Sequence, residues 1–573
     1  MLPLVRAAEK VKKSHLGAFV TFRTDHHLNE YLPPAAEHLA WLTGFTGSAG
    51  LLIITPEKTG LFVDGRYATQ APQQVHPGVC VHSWNWKEIK TFLHEHVPHA
   101  IPIGIDADHL CAESACMWRE TLSSRNPLSF ISGFIDEIWD ARPPWPCTPF
   151  VDLDESFSGA ATATKLAKLQ QIIHKKNADA LVVSNLCALA WLLNIRGSDL
   201  EHTPVSYAYA FVPATGNPVL FTRSPYTGKA PVDKKDYDSF VPYMGTLQGL
   251  RLLLDPCETT EALWQYLHKA HDVIPTPNPV VPWKAQKNTT EIQGFRDCHI
   301  QDSLALCETF AWIHDTHTHK RPLSEISIEA FMNEHRRQKL YNRGLSFDPI
   351  VGWNANGAII HYRATPHTNA GISGNGLLLI DSGGQYKNGT TDVTRTLALG
   401  CPTPDQISDY THVLKGMIHL SQAHVDEGTS GMALDTLART PIIHYGQNYA
   451  HGTGHGVGHS LSVHEGPFHI SPRATDVGLK PGMVLSNEPG IYHPGKYGIR
   501  IENLMVALRG TDDYIVFETL TQVPLDRTLI DKNILTPEEI AWVNAYHAGI
   551  ISRIQEHLTP RGRSWLTQAC AIL

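Results

Sequence analysis

One tetrapeptide occurs twice in this chain, and its second copy restarts the same order of elements. Leu39-Ala40-Trp41-Leu42 is followed by Gly47-Ser48, and Leu189-Ala190-Trp191-Leu192 by Gly197-Ser198, at the same interval and an offset of 150 residues. Each copy follows an apolar, strand-like run, GAFVTF or DALVVS. Each precedes two more, GLLIIT then GLFVDG in the first and YAYAFV then PVLFT in the second. Four shared letters can arise by chance, but matching flanking strands are much harder to obtain that way. The N-terminal half is therefore read as two related α/β domains in tandem. A length of 573 residues suggests about three or four domains, so a larger domain is expected to follow the repeat.

The fold class is thus α/β (α+β), and domain boundaries are placed where composition shifts. The first domain is assigned to 1–155, ending in the Pro/Trp-rich ARPPWPCTPF at 141–150. The second is assigned to 156–285; the helix-like TKLAKLQQIIHKK opens it and NPVVPWKAQKN, 278–288, closes it. The third, 286–573, begins with the helical segment at 291–313. A last helix is expected at roughly 537–558. There Thr536 is a good N-cap, Pro537 fits the first turn and Glu539 completes a capping box. Ile540, Val543, His547, Ile550 and Ile554 form its inward face.

Several function classes lose support at the level of composition. Hydrophobic content of 42% with 18% charged residues fits a globular protein with ample core. A net charge of −9, with no block of like charge, gives no reason to expect nucleic acid or an anionic membrane as partner. No apolar run reaches the ~18 residues that span a bilayer. The N-terminus, MLPLVRAAEKVKKSHLGAFV, has no apolar core of signal-peptide length before its lysines and reads as a short amphipathic helix entering a strand. Ten cysteines without a CxxC pair point to a reducing compartment, and a cytoplasmic location is expected.

Five residues in the C-terminal half stand out for chemistry: Asp381, Asp392, His455, Glu488 and Glu502. Taken singly each is weak, because an Asp at a strand end is usually a turn former and His455 is one of 33 histidines. Their surroundings add weight. GLLLIDSGGQYKNGTTDVTRTLALG reads as two strands joined by a Gly/Asn-rich turn, with Asp381 ending the first strand and Asp392 opening the second. Gly452, Gly454, Gly456 and Gly458 clear side chains from around His455, letting backbone or substrate come close. Glu488 precedes Pro-Gly, which ends its strand, and Arg500-Ile501-Glu502 alternates so that Arg500 and Glu502 share a face. Four carboxylates and one imidazole suit Mn or Mg, with imidazole broadening the choice toward Zn, Fe or Co. Two such ions roughly 3.5–4 Å apart can activate one water. Spacing alone leaves open both a two-metal site and a set of unrelated structural carboxylates. Competing motifs fail: His464-Glu465-Gly466-Pro467-Phe468-His469 has its second histidine one residue too late for HExxH, and Gly-Pro breaks a helix there. GTGHGVG is not GxGxxG, and there is no GKS/GKT loop or GxSxG elbow.

At these residues the chain resembles the aminopeptidase P family, the Xaa-Pro aminopeptidases among the pita-bread metallopeptidases, in its long, three-domain, cytosolic type. The resemblance runs through DHHLNEYLPP, WLTGFTGSAG and LFVDGRYATQA, then WLLNIRGSDLEHTPV, KNTTEIQGFR, NGAIIHYR, the five acidic and histidine stretches and LTQVPLDRTLID. The spacings of 11, 63, 33 and 14 between the five residues are similar to the family's. The resemblance implies two creatinase-N-like domains before a pita-bread catalytic domain, and two divalent metal ions, Mn(II) by preference. It implies that Asp381 holds one metal, that Asp392 and Glu502 bridge both, and that His455 and Glu488 complete the other. A water bridging the two metals would then attack the carbonyl before proline, with Glu488 as proton acceptor and shuttle. His361 and His464 would polarise that carbonyl and stabilise the oxyanion. His451 would line the site beside the proline ring and Arg500 would position acidic ligands. Arg66 would contact bound peptide, and Glu30 would meet the free amine. The implied partners are peptides with proline second and a second copy of the chain in a homodimer, with no nucleic acid and no membrane. The chain departs from the family pattern at His459-Ser460, after GHGVG; His459 is expected at the surface or on a wall of the pocket.

Alternatives of other classes follow from the same residues. Prolidase cleaves Xaa-Pro dipeptides with a related site, but the tandem leading domains argue against it. They argue more strongly against methionine aminopeptidase, which lacks such domains. Creatinase shares the fold without the metal set, which is present here. A non-catalytic peptide- or histone-binding module of the same fold would have lost ligands, and none is lost.

Overall fold

The two echoing segments build two six-stranded sheets with the same wiring. The structure, a computed structural model, describes residues 3–474 and 477–573. The N-terminal amphipathic helix is present as Pro3–Lys13; residues 1 and 2 lie outside the described ones. The first sheet contains β1 (Ala18–Phe22), β2 (Leu51–Ile54), β3 (Thr59–Val63), β4 (Val79–Ser83), β5 (Ile103–Asp106) and β6 (Leu128–Ile131), in the order β4-β3-β2-β1-β5-β6. The second contains β7 (Ala180–Val183), β8 (Ala208–Pro213), β9 (Val219–Thr222), β10 (Asp233–Lys235), β11 (Arg251–Leu254) and β12 (Asp272–Pro275), in the order β10-β9-β8-β7-β11-β12. Strand senses also correspond. β1 is antiparallel to β2 and parallel to β5, as β7 is to β8 and β11. The central strands are buried along their whole length, which is why they read as unbroken apolar runs. The repeated tetrapeptide lies in the helices His38–Thr43 and Leu186–Leu193, each closed by a left-handed residue, Gly44 or Asn194.

The copies differ between first strand and helix. The first carries an insertion, residues 23–37, that contains DHHLNEYLPP. It is tied to the second domain: Tyr207 donates to Asp25, and the His27 ring bonds Ser184 O and Tyr237 Oη at 2.7 and 2.8 Å. Residues 1–155 and 160–280 form one compact unit; residues 156–159 and 281–573 form another.

The second unit is built of two similar halves, each a pair of helices followed by antiparallel strands. In the first, helices Thr289–Thr318 and Glu325–Arg337 precede β13 (Ile350–Trp353), β14 (Gly376–Ser382) and β15 (Val393–Leu399), which pair in that order. In the second, helices Pro404–Ser421 and Gly431–His444 precede β16 (Gly454–Gly456), β17 (Glu465–Ile470), β18 (Val484–Asn487), the hairpin β19 (Gly490–His493) and β20 (Tyr497–Arg500), then β21 (Asn503–Arg509) and β22 (Ile515–Thr519). These form a sheet in the order β17-β16-β18-β21-β22, with the hairpin apart. The closing helix is Pro537–Ile554, with the expected Thr536–Glu539 capping box. Among the described residues no helix is long and apolar enough to cross a membrane.

Two expectations need correction. The connection between β14 and β15 is more than a turn: Gly384–Tyr386 pairs with Gly389–Thr390 and also with Asn342–Leu345. Its side chains anchor inward, Tyr386 donating to Asp302 at 2.9 Å and Gln385 to Leu461 O at 2.7 Å. His459 is not at the surface. It is 1% exposed, packed edge-on to Phe295 and 4.0 Å from a Glu291 carboxylate oxygen.

Candidate metal centre

The antiparallel register of β14 and β15 sets Asp381 opposite Thr394. Asp381 is the penultimate residue of β14 and Asp392 immediately precedes β15, so two ladder-fixed backbones present both carboxylates at one end of the sheet. From the other half, β16 brings His455, the end of β18 brings Glu488, and the step from β20 to β21 brings Glu502. Backbone bonds pin these positions: Glu488 N–H to Thr453 O at 2.8 Å and Glu502 N–H to Thr394 O at 3.1 Å. The strand containing Arg500 ends there rather than running on to Glu502. The two side chains nevertheless converge, since Arg500 Nε donates to Thr394 Oγ1 at 3.1 Å and that hydroxyl donates to Glu502 Oε2 at 2.8 Å.

Donor atoms of Asp392, His455 and Glu502 lie within 4.8 Å of one another. His455 Nε2 is 3.5 Å from Asp392 Oδ2 and 3.6 Å from Glu488 Oε1. These separations are long for hydrogen bonds. They match the ~3.4 Å between two donors that each sit about 2.1 Å from a shared ion in tetrahedral geometry. The other ring nitrogen, Nδ1, faces Gly456 O at 2.9 Å. A carbonyl only accepts, so Nδ1 carries a proton, and Nε2 is the nitrogen that faces the cluster. Asp381 receives Arg500 Nη2–H on Oδ2 at 2.6 Å, while its Oδ1 is buried without a hydrogen-bond partner. Glu502 Oε1 is likewise buried and unpartnered. Orphaned buried carboxylate oxygens are costly and are what a cation-binding site requires. The donor set therefore fits two divalent cations.

Electrostatics agree. Burial raises Glu488 to about 7 and Asp381 to about 6, with Asp392 adding to both against the opposing pull of His455 or Arg500. Burial, then the charges of Asp392, Glu488 and Asp381, lifts Glu502 well above its ordinary value. Burial alone would lower His455, but the adjacent Asp392 carboxylate and the charge of Glu488 outweigh it and lift it to about 9. Crowded carboxylates retain protons until cations replace them.

The other candidate residues fall at varying distance from this cluster. The His464 ring is 4.5 Å from the His455 ring, edge to face. His451 Nδ1 bonds Gly452 O, and its Nε2 meets Tyr492 Oη at 2.8 Å. Arg500 Nη1 donates to the same Tyr492 oxygen at 2.8 Å. A chain of bonds thus runs from His451 through Tyr492 and Arg500 to Asp381. His361 is half-buried on the loop after the short helix Asn354–Ala358; the next residue, Tyr362, is anchored to Glu325 at 2.8 Å. Arg66 and Glu30 belong to the first unit. Asp64 holds Arg66 through two bonds, at 2.7 and 3.0 Å, and Glu30 accepts from Ser48 Oγ at 3.0 Å.

Sequence reasoning missed Thr394 and Tyr492. Thr394 could have been found, because two residues after Asp392 on a strand lies on the same face. Tyr492 carried no local signal.

Comparison with known proteins matches successive stretches of the chain. Residues 4–138 and 141–291 each match the creatinase/prolidase N-terminal domain, 293–508 match metallopeptidase family M24, and 513–573 match the C-terminal region of that peptidase. The chain is 36% identical to a probable Xaa-Pro aminopeptidase P of Coprinopsis cinerea, covering 98% of this chain and 97% of that protein. It is 36% identical to another from Laccaria bicolor, covering 100% and 93%. The crystal structure of an X-prolyl aminopeptidase from Caenorhabditis elegans, described as a cytosolic enzyme with a di-nuclear active site, is similar over 100% of both chains. The TM-score is 0.93 and the identity 31%.

Proposed function

Because this chain belongs to the Xaa-Pro aminopeptidase P group of metallopeptidase family M24, we propose that it is a metal-dependent aminopeptidase acting on peptides with proline second. It hydrolyses the bond between the N-terminal residue and that proline. The observation that carries this reading is the clustering of Asp392, His455 and Glu502, with Glu488 beside His455 and orphaned oxygens on Asp381 and Glu502, in a chain similar along its whole length to an X-prolyl aminopeptidase.

Asp381, Asp392, His455, Glu488 and Glu502 would hold two divalent ions, with Mn(II) favoured by the carboxylate-rich set. When bound, the ions supply a water of lowered pKa and Lewis acidity toward the scissile carbonyl. Glu488 accepts a proton and passes it to the leaving proline nitrogen. His464, beside His455, and His361 donate to the carbonyl oxygen as charge develops there. Arg500 fixes Asp381, and through Tyr492 it fixes His451 at the wall for the proline ring. Arg66 and Glu30 are assigned to the peptide, Glu30 to its free amine. Specificity has a physical basis: the bond before proline is a tertiary amide with fixed φ and no N–H. A general peptidase that grips that N–H handles it poorly, whereas a pocket shaped to the ring selects it. The similarity to an enzyme described as cytosolic supports a cytoplasmic location, and a homodimer with peptides as its partners is proposed with it.

The test compares hydrolysis of Arg-Pro-Pro and the dipeptide Arg-Pro, after chelation and after Mn(II) reloading. Release of arginine from the tripeptide alone, only with metal, is expected. Cleavage of the dipeptide instead would make the chain a prolidase, and inactivity on both with two metals bound would make it a binding module.

A further inference from the structure

Immediately after His464, the chain places a carboxylate between two ammonium groups in the protein interior. Glu465 Oε2 is 2.8 Å from Lys284 Nζ, and Glu465 Oε1 is 2.5 Å from Lys287 Nζ. The three residues are 3%, 4% and 5% exposed, in the order Glu465, Lys284, Lys287. Desolvating three charges is expensive, and a buried ion triad is often no better for stability than apolar residues of the same volume. What such a triad does supply is geometry: each carboxylate oxygen has its own partner, so the side chain has one position.

The triad sits at a junction. Lys284 is the penultimate residue of the helix Val280–Ala285, and Lys287 bonds Gly482 O through its backbone N–H at 2.9 Å; this is the segment by which the chain enters the catalytic unit. Glu465 is the first residue of β17, and its Cα pairs with Gly456, next to His455. Backbone crowds that pairing, since a Cβ on Gly456 would meet Glu465 O at 2.2 Å. Glu465 is therefore covalently adjacent to His464 and laddered to the neighbour of His455, whose two rings stand 4.5 Å apart.

We propose that Glu465, clamped by Lys284 and Lys287, is a positioning residue that holds His464 against the metal cluster for carbonyl polarisation. This rests on the role given to His464 under the proposed function. The triad touches no substrate and donates no proton. It fixes where the His464 main chain leaves the sheet, and so where the imidazole sits relative to the reacting carbonyl.

The full-length, Mn(II)-loaded protein tests this as Glu465→Gln and Lys284→Met. The second leaves the Glu465–Lys287 pair intact and serves if the first does not fold. Expected for both are two metals per chain, a KM for Arg-Pro-Pro within about two-fold of wild type, and a kcat lowered by up to about a hundred-fold, the scale of a catalytic group displaced by about 1 Å. The crystal structure of Lys284→Met should show the His464 ring displaced from its contact with His455. Unchanged kcat, an unmoved His464 ring, or loss of metal in step with activity would each overturn the proposal. An inactive wild-type enzyme would instead overturn the function itself, which is a different result from an active wild type matched by its variants.

Discussion

Glu488, Asp381 and Glu502 hold their protons more tightly in the metal-free folded protein than an exposed carboxylate does, for which about 4 is usual. A group whose folded value is raised contributes stability that is full below its unfolded value and lost as pH rises through the folded one. For the carboxylates that window runs from about 4 up to Asp381 at about 6 and Glu488 at about 7. His455, raised to about 9, has the same sign and extends the loss above neutrality. Glu465 has the opposite sign. Burial would raise it, but Lys284 and Lys287 outweigh that and hold it below its ordinary value, so its contribution disappears only in acid. Metal binding needs the deprotonated carboxylates and the neutral imidazole, so it displaces the protons that this cluster retains. The rise in melting temperature on adding Mn(II) should therefore grow between pH 5.5 and pH 8, with protons released on binding. Calorimetry at several pH values measures both quantities, and a metal-induced rise that does not change with pH would remove these residues as the ligand set.

At the scale of elements, the glycines around His455 show what the sequence made legible and what it concealed. Their number suggested close approach without saying to what. The approach is to backbone: a Cβ on Gly454 would meet Ser486 O at 2.0 Å, and one on Gly456 would meet Glu465 O at 2.2 Å. β16 is thus pressed between β17 and β18, and His455 lies between its two tightest points. Gly456→Ala should force these strands apart, costing about 1–3 kcal/mol of stability and most of the bound metal; metal content by mass spectrometry and urea unfolding check it. Alanine there with two metals retained would mean that the strand can shift without moving His455. The hairpin carrying Asp381 and Asp392 was readable because alternation and a Gly/Asn turn are local signals. The small sheet inside that turn was not, because Asn342–Leu345, its outer partner, is some 40 residues away in sequence. His459 was misplaced for the same reason: a histidine's surroundings are set by partners, here Phe295 and Glu291, that no neighbouring residue announces.

For the whole molecule, the repeated tetrapeptide proved a reliable guide because it marks a helix at the same point of each sheet. Identical strand order and sense in the two sheets extend the resemblance well beyond four letters. The edge strands could not be read so easily: Asp233–Lys235 is exposed at all three residues, and polar edge residues lack the apolar signature of central strands. All five candidate ligands lie in the second unit, on elements drawn from both of its halves. Ions shared by the two halves bind the native arrangement and not the unfolded one, so they stabilise it by mass action, about 2.7 kcal/mol at a free concentration of 100 times Kd. Amide exchange slows where opening would release the ions. Hydrogen exchange with and without Mn(II) should therefore show added protection in β14, β15, β16, β18 and the start of β21, drawn from both halves at once. The six-stranded sheets of the first unit, which supply no ligand, should exchange as before. Protection confined to one half would mean that the ions bind a partial set drawn from that half, and the assignment of a two-metal site shared by both halves would fall.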